Sequence, residues 1–233
     1  AQPKPYREQR VLKQLMDDLQ LKSLPEHIEC FDNSNLQGSN PVASMVCFRK
    51  GRPFKSDYRK YHIKTVEGPN DFASMQEIVK RRYSRVQKEG KSLPDLVVVD
   101  GGKGQLSAAV AALRSLNLYG QLPVIGIAKK LEEIYFPGDQ YPIHIQKRSE
   151  SLKLLQHLRN EAHRFAISFH RQQRSKKTIS SSLLQLEGVG QTSAMKLLRK
   201  FKSVNKIRQA SLEELSAVVG KAKASSILKQ LSK

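Results

Sequence analysis

The chain has 233 residues, 39% of them hydrophobic, and carries 41 Lys and Arg against 21 Asp and Glu, a formal net charge of +20. That length suffices for one large domain or two modest ones, and the charge implies a polyanionic partner: DNA, RNA or an anionic membrane surface. No apolar run approaches the roughly 18 residues that span a bilayer, and the polar start, Ala1 to Arg10, does not read as a signal peptide. The missing initial Met is read as the mark of a fragment or processed chain, with further domains expected before Ala1.

Residues 1–25 read as a linker helix, Glu8 to Leu21, closed at Pro25. Three strands follow: Ile28 to Asn33, Val42 to Arg49 (ending at the Lys50-Gly51-Arg52-Pro53 turn) and Asp57 to Lys64. Their short connections favour an antiparallel meander. The apolar period then changes to that of a helix from Asn70 to Lys88, capped by Asn70 or Asp71, with Phe72, Met75, Ile78, Val79, Tyr83 and Val86 on its inner stripe. Leu96-Val97-Val98-Val99 is a β-branched run suited to a strand buried on both faces and ends in Asp100-Gly101-Gly102. A helix over Gly104 to Leu116, a strand over Val124 to Ala128, a hairpin from Ile134–Phe136 and Ile143–Ile145, and a long helix from Ser151 to Arg171 complete this part. The two cysteines, Cys30 and Cys47, lie in strand-like runs without CxxC spacing, so buried free thiols in a reducing cytoplasm are expected.

Three meandering strands followed by parallel βαβ units give a ribonuclease H-like α/β fold, a mixed sheet in which a right-handed crossover lays the fourth strand beside the first. The expected domains are an N-terminal linker helix (1–25), a ribonuclease H-like domain (26–172), a basic linker (173–181) and a small all-α domain (182–233). The last contains an imperfect repeat of helix, glycine turn and helix: Leu186-Glu187-Gly188-Val189-Gly190 before Ala194 and Leu197, then Val218-Val219-Gly220 before Ala224 and Ile227.

Asp32 ends the first strand and Asp100 the fourth, so adjacency of those strands brings two carboxylates to one sheet edge, where open α/β sheets bind ligands. Paired carboxylates repel without a cation between them, and hard oxygen donors favour Mg²⁺ or Mn²⁺. His163 lies one position off the apolar stripe of the last helix and completes a candidate Asp-Asp-His site for metal-assisted phosphodiester hydrolysis. Asp71 reads as a helix cap or an outer supporting carboxylate. Lys103 opens a helix, where phosphate is attracted, or is simply solvated. In the tail, glycine turns let backbone amides approach phosphate without reading bases. The DNA-contacting set is Gly188, Val189, Gly190, Lys196, Gly220, Lys221 and Lys223, with Arg171 and Arg174 of the linker. The absence of Trp and a 6% aromatic content argue against base stacking as the main mode of binding.

Four ordered segments carry a resemblance: Ile28-Glu29-Cys30-Phe31-Asp32-Asn33-Ser34, Gly68-Pro69-Asn70-Asp71-Phe72-Ala73-Ser74-Met75, Val99-Asp100-Gly101-Gly102-Lys103-Gly104-Gln105-Leu106 and Leu158-Arg159-Asn160-Glu161-Ala162-His163-Arg164-Phe165-Ala166. Together with the terminal hairpins they resemble the C-terminal half of the UvrC family, a component of the bacterial UvrABC excinuclease. The resemblance implies a ribonuclease H-like endonuclease domain with a tandem helix-hairpin-helix domain. It also implies Asp32, Asp100 and His163 as catalytic triad and metal ligands, with Asp71, Lys103, Arg159 and Glu161 as supporting residues. The implied substrate is damaged double-stranded DNA, cut 5′ to the lesion, and the implied partners are the helicase UvrB and the damage sensor UvrA. An N-terminal nuclease domain and a UvrB-binding segment would precede Ala1. The chain departs from the family pattern at Asn160, where many members have Asp, and at Asn33, where many have an apolar residue. The alternatives are a non-catalytic DNA-binding module of the same fold, an RNA-directed nuclease and, least favoured by the scattered basic residues, a membrane-surface protein.

Overall fold

The structure is a computed structural model that describes residues 4–34, 42–66, 70–128 and 133–231, with the backbone alone at 4–6, 34, 42 and 169–181. It divides into two compact units, Ala1–Phe169 and His170–Lys233.

Unit 1 is built on a seven-stranded mixed sheet. Strands β1 (His27–Ser34) and β2 (Val42–Arg49) run antiparallel, and β3 (Arg52–Pro53) and β4 (Arg59–His62) both pair with β2. The third expected strand is shorter than the sequence suggests, because Lys55–Asp57 closes into a 3₁₀ turn ahead of it. On its other side β1 pairs in parallel with β5 (Leu96–Asp100), which pairs in parallel with β6 (Val124–Ile127). The fourth strand to be read from the sequence therefore does lie beside the first. At the far edge β7 (Ile134–Tyr135) runs antiparallel to β6, and Ile134 bridges Ile143. Every residue of β5 and β6 is buried, as their continuous apolar sequences require.

Strand alternation assigns the two faces. Glu29 and Phe31 meet Arg82 and Tyr83 of α2 (Asp71–Lys88). Ser44 and Phe48, which share the opposite face with Cys30 and Asp32, meet Ala162 and His157 of α4 (Glu150–Leu184). The helix α3 (Lys103–Ser115) lies beside α2, with Leu106 turned toward Gly126 of β6. Asn70 caps α2 by accepting a hydrogen bond from the Ala73 amide at 3.0 Å.

Two expectations need correction. The N-terminal helix α1 (Lys4–Asp18) is not a mere linker: Leu12 and Leu15, with Leu19 just beyond it, are buried in the unit 1 core at the helical spacing that gives one apolar face. Phe72, assigned to the buried stripe of α2, is 56% exposed: it lies in the first turn of that helix, with its ring against Gly104 of α3.

The helix α4 continues through residues 173–181, the segment read as a basic linker, so that stretch is helical. Arg171 and Arg174 lie where the side chains are outside the described residues. Unit 2 adds α5 (Gln191–Phe201), α6 (Val204–Gln209), α7 (Leu212–Val219) and α8 (Lys221–Leu231). They close over a core of Leu183, Val189, Ala194, Leu197, Ile207, Leu215, Ala224 and Ile227. The short α6 is an addition to the repeat read from the sequence. Ser211 and Glu214 form a reciprocal capping box at the start of α7.

Candidate metal centre and nucleic-acid interface

Parallel pairing of Phe31 with Val99 puts the next residue of each strand, Asp32 and Asp100, at the same level and on the same face of the sheet. Both side chains are buried, at 3% and 6% exposure, a costly place for charged carboxylates. His163 reaches them from α4, with Nδ1 3.3 Å from the Asp32 Oδ2. One ligand atom from each of the three residues lies within 4.8 Å of the other two. Two hard oxygen donors and one imidazole at that spacing fit a divalent ion of the Mg²⁺ or Mn²⁺ kind.

The helix bearing His163 is anchored on both sides of that residue. Ser44, the register partner of Asp32, is fully buried and donates its hydroxyl to the Ala162 carbonyl at 3.0 Å. Glu161 accepts from Arg164 at 2.6 and 2.7 Å and from the Tyr58 hydroxyl at 3.1 Å. The Arg164 bonds, with help from Tyr58, hold the Glu161 carboxyl below its usual range. Glu161 therefore stands outside the three-residue cluster and fastens α4 to the segment around Tyr58. Phe165 adds an edge-on contact with the same tyrosine at 5.1 Å.

Asp71 is exposed and is the first residue of α2, so the capping role falls to Asn70; its carbonyl accepts from the Asn33 side-chain amide at 2.7 Å. Lys103 is turned toward the hairpin beyond β6, donating to the Gln140 carbonyl and lying 5.7 Å from the Tyr135 ring centre. Arg159 sits one helical turn before His163, and its Nη1 is buried without a hydrogen-bond partner. Its charge opposes the rise in the Cys30 thiol, which burial pushes well up and which Asp100 and Asp32 push further. Cys30 and Cys47 are both free and buried, as their strand positions imply.

In unit 2 the glycine turns differ in what they ask of the backbone. Gly188 and Gly220 adopt φ of +80° and +84°, a region open to glycine, whereas Gly190 caps α5 at φ −81°. Gly190 offers no side-chain cap, so the first amides of α5 remain available to an anion. Lys196, Lys221 and Lys223 are exposed. Val189 is otherwise placed: its side chain is buried and its amide bonds to the Leu186 carbonyl at 3.1 Å, so neither faces outward. Sequence reading missed the clasp between the hairpins, in which Gln230 both accepts from the Glu187 amide at 2.8 Å and donates to its carbonyl at 3.1 Å. It also missed Ser44, whose only signal was a polar residue within an apolar strand.

Residues 16–167 match the family model described as the UvrC RNAse H endonuclease domain, and residues 180–233 match a SAM-like helix-hairpin-helix tandem. The chain is 57% identical over 233 residues to the UvrABC system protein C of Cytophaga hutchinsonii, covering 100% of the chain and 39% of that relative. It is 57% identical over 219 residues to the protein of that name from Porphyromonas gingivalis, covering 94% of the chain and 37% of the relative. The chain thus spans well under half the length of these relatives. Among solved structures, endonuclease V of Ciona intestinalis with inosine-containing DNA aligns at a TM-score of 0.37 and 17% identity, over 67% of this chain and 65% of that one. With its mixed sheet, its acidic strand ends and a family match over most of its length, the chain belongs to the UvrC RNase H endonuclease domain family.

Proposed function

We propose that the chain is a divalent-metal-dependent DNA endonuclease that makes the 5′ incision beside a lesion in nucleotide excision repair, through Asp32, Asp100 and His163. The observation that carries this reading is the convergence of those three ligand atoms within 4.8 Å at the carboxyl end of the parallel strand pair. In this role Asp32 and Asp100 hold the ion by carboxylate oxygens, and His163 adds a nitrogen ligand. A divalent ion there would supply a Lewis acid that activates water and offsets charge on the phosphodiester. Asp32 also orients the imidazole through its 3.3 Å contact, and Ser44 and Glu161 keep α4 in place. Arg159 takes a supporting role toward the phosphate, as does Lys103 once released from the Gln140 carbonyl, and Asp71 an outer role toward the ion. The exposed amides and lysines of the two hairpins grip the DNA backbone without reading sequence, in keeping with damage that occurs anywhere.

The name of the relatives, UvrABC system protein C, supports UvrA and UvrB as partners, and the proposed place of action is the cytoplasm. No described helix is long and apolar enough to cross a membrane. The test is cleavage of a lesion-bearing duplex already nicked on the 3′ side, with Mg²⁺ or Mn²⁺ and the partner proteins supplied. Asp32→Ala should abolish 5′ incision and leave DNA binding and the melting curve unchanged. Incision within threefold of the parent chain would refute the reading.

A further inference from the structure

Phe72 is 56% exposed, yet it is not a loosely held surface side chain. One side of its ring lies on the first turn of α3 at Gly104, where an added Cβ would fall 2.3 Å from the ring Cε1. Any larger residue at 104 would lift the ring off this seat. The helix that carries Phe72 is fixed at the same point: Asn70 caps it, and the Asn33 side-chain amide holds the Asp71 carbonyl at 2.7 Å. Both anchors lead to the metal-binding edge. Asn33 follows Asp32 in β1, and Gly104 comes four residues after Asp100. An aromatic ring is thus backed by a helix on one side and half open to solvent; it stands on the α2 face of the sheet, at the same strand end as the two candidate metal-binding carboxylates, which face α4.

A lone exposed apolar residue needs no explanation in itself. A ring seated by a glycine at the edge of a phosphodiester-cleaving centre has a fitting occupant. We propose that the open face of Phe72 stacks on a nucleobase of the strand being cut, next to the scissile phosphate. The contact fixes the rotation and register of that nucleotide as its phosphate enters the Asp32, Asp100 and His163 cluster. This inference rests on the endonuclease reading above. A nucleobase is favoured over an apolar protein segment because the chain carries a net +20 charge, which draws a polyanion to its surface. Every base has a π face, so one stacking ring tolerates any sequence, as a repair incision requires. It also refines the expectation drawn from composition: the chain is poor in aromatic residues, but one is placed where stacking matters.

The experiment uses the 233-residue chain and a lesion-bearing duplex with 2-aminopurine on either side of the incision phosphate. Binding is followed in Ca²⁺ by quenching of the 2-aminopurine signal, and incision in Mg²⁺ with the repair partners present. The parent chain and Phe72→Trp should quench the probe on one side of the phosphate. Phe72→Ala and Phe72→Leu should lose the quench and bind and cut about tenfold less well, or worse, with melting temperatures unchanged. Phe72→Leu behaving as the parent chain would mean an apolar contact, with a protein the outcome to pursue. A quench that persists in Phe72→Ala, or a large fall in its melting temperature, would also overturn the proposal. Asp32→Ala separates the two readings. It should keep the quench and lose incision, whereas retained incision would sink the endonuclease reading and leave the stacking result standing.

Discussion

Gly126 of β6 lies beneath the turn that carries Asp100. An added Cβ there would fall 2.8 Å from the Gly101 carbonyl oxygen and 3.3 Å from the Leu106 Cβ. Ordinary contact requires the turn to yield by roughly half an ångström. The Gly101 amide is itself bonded to the Ile127 carbonyl at 3.0 Å, so the strain is relieved through the peptide that follows Asp100. Overpacking of this kind costs about 1–3 kcal/mol. For a unit of this size that is a melting temperature lower by about 2–10 °C. The larger effect falls on the metal centre, since ligand distances tolerate only about 0.2 Å. Gly126→Ala should weaken Mn²⁺ binding by about tenfold or more, in the range seen when groups that orient a ligand are disturbed. Gly102→Ala is the control, because nothing lies within 4 Å of a Cβ at that position. Calorimetric titration with Mn²⁺ and a thermal melt of both variants decide the matter. Parent-like Mn²⁺ affinity in Gly126→Ala would refute the claim that packing behind the turn sets the position of Asp100.

Four other outcomes follow from positions outside that turn. Ser44→Ala should cost about 1 kcal/mol in urea unfolding, but its incision rate should fall more than this explains while affinity for DNA is kept, because the lost bond fixes the residue before His163. Burial pushes the Glu29 carboxyl up, but bonds from His27 and Arg82 outweigh it and leave the pKa lowered, so its contribution is complete above the unfolded value of about 4 and is lost as pH falls through the folded one. Glu29→Gln should therefore cost about 3–5 kcal/mol at neutral pH, with the gap from the parent chain closing in acid unfolding titrations. Gly188→Val should destabilise unit 2 by about 1–3 kcal/mol, as measured by its thermal melt, because it opposes a φ of +80°. Gly190→Val, at φ −81° and facing open space, should fold normally and weaken binding to every duplex alike.

The meeting of β1 and β5 was legible because it depends on local features: an apolar run of strand length, a helix between strands and the preferred hand of the crossover. Once those strands are neighbours, Asp32 and Asp100 converge without further information. The role of α1 was not legible in the same way. Its leucines announce an apolar face, but periodicity does not say what covers it, and the core of unit 1 does. Phe72 fits the stripe of α2 by spacing alone, and spacing does not say that the first turn of the helix leaves the ring half open to solvent. Ser44 and Gln230 act across 118 and 43 residues of sequence. A pattern read along the chain has no access to pairings of that range. The segment 173–181 looked like a linker because it is basic and polar, yet such residues are compatible with helix, and α4 runs through it.

The two thiols lie in adjacent central strands, on opposite faces of the sheet, each with no accessible surface. Burial and the neighbouring Glu29, against the pull of the local arginines, push the Cys47 thiol up to about 12, and Cys30 is pushed up as well. Neither sulfur is a thiolate at neutral pH, and neither meets solvent while β1 and β2 remain covered. Alkylation or oxidation of either atom therefore requires the central strands to open. The protein carries its own clock for that opening: the rate at which these two positions are trapped records how often the sheet that assembles Asp32 and Asp100 comes apart.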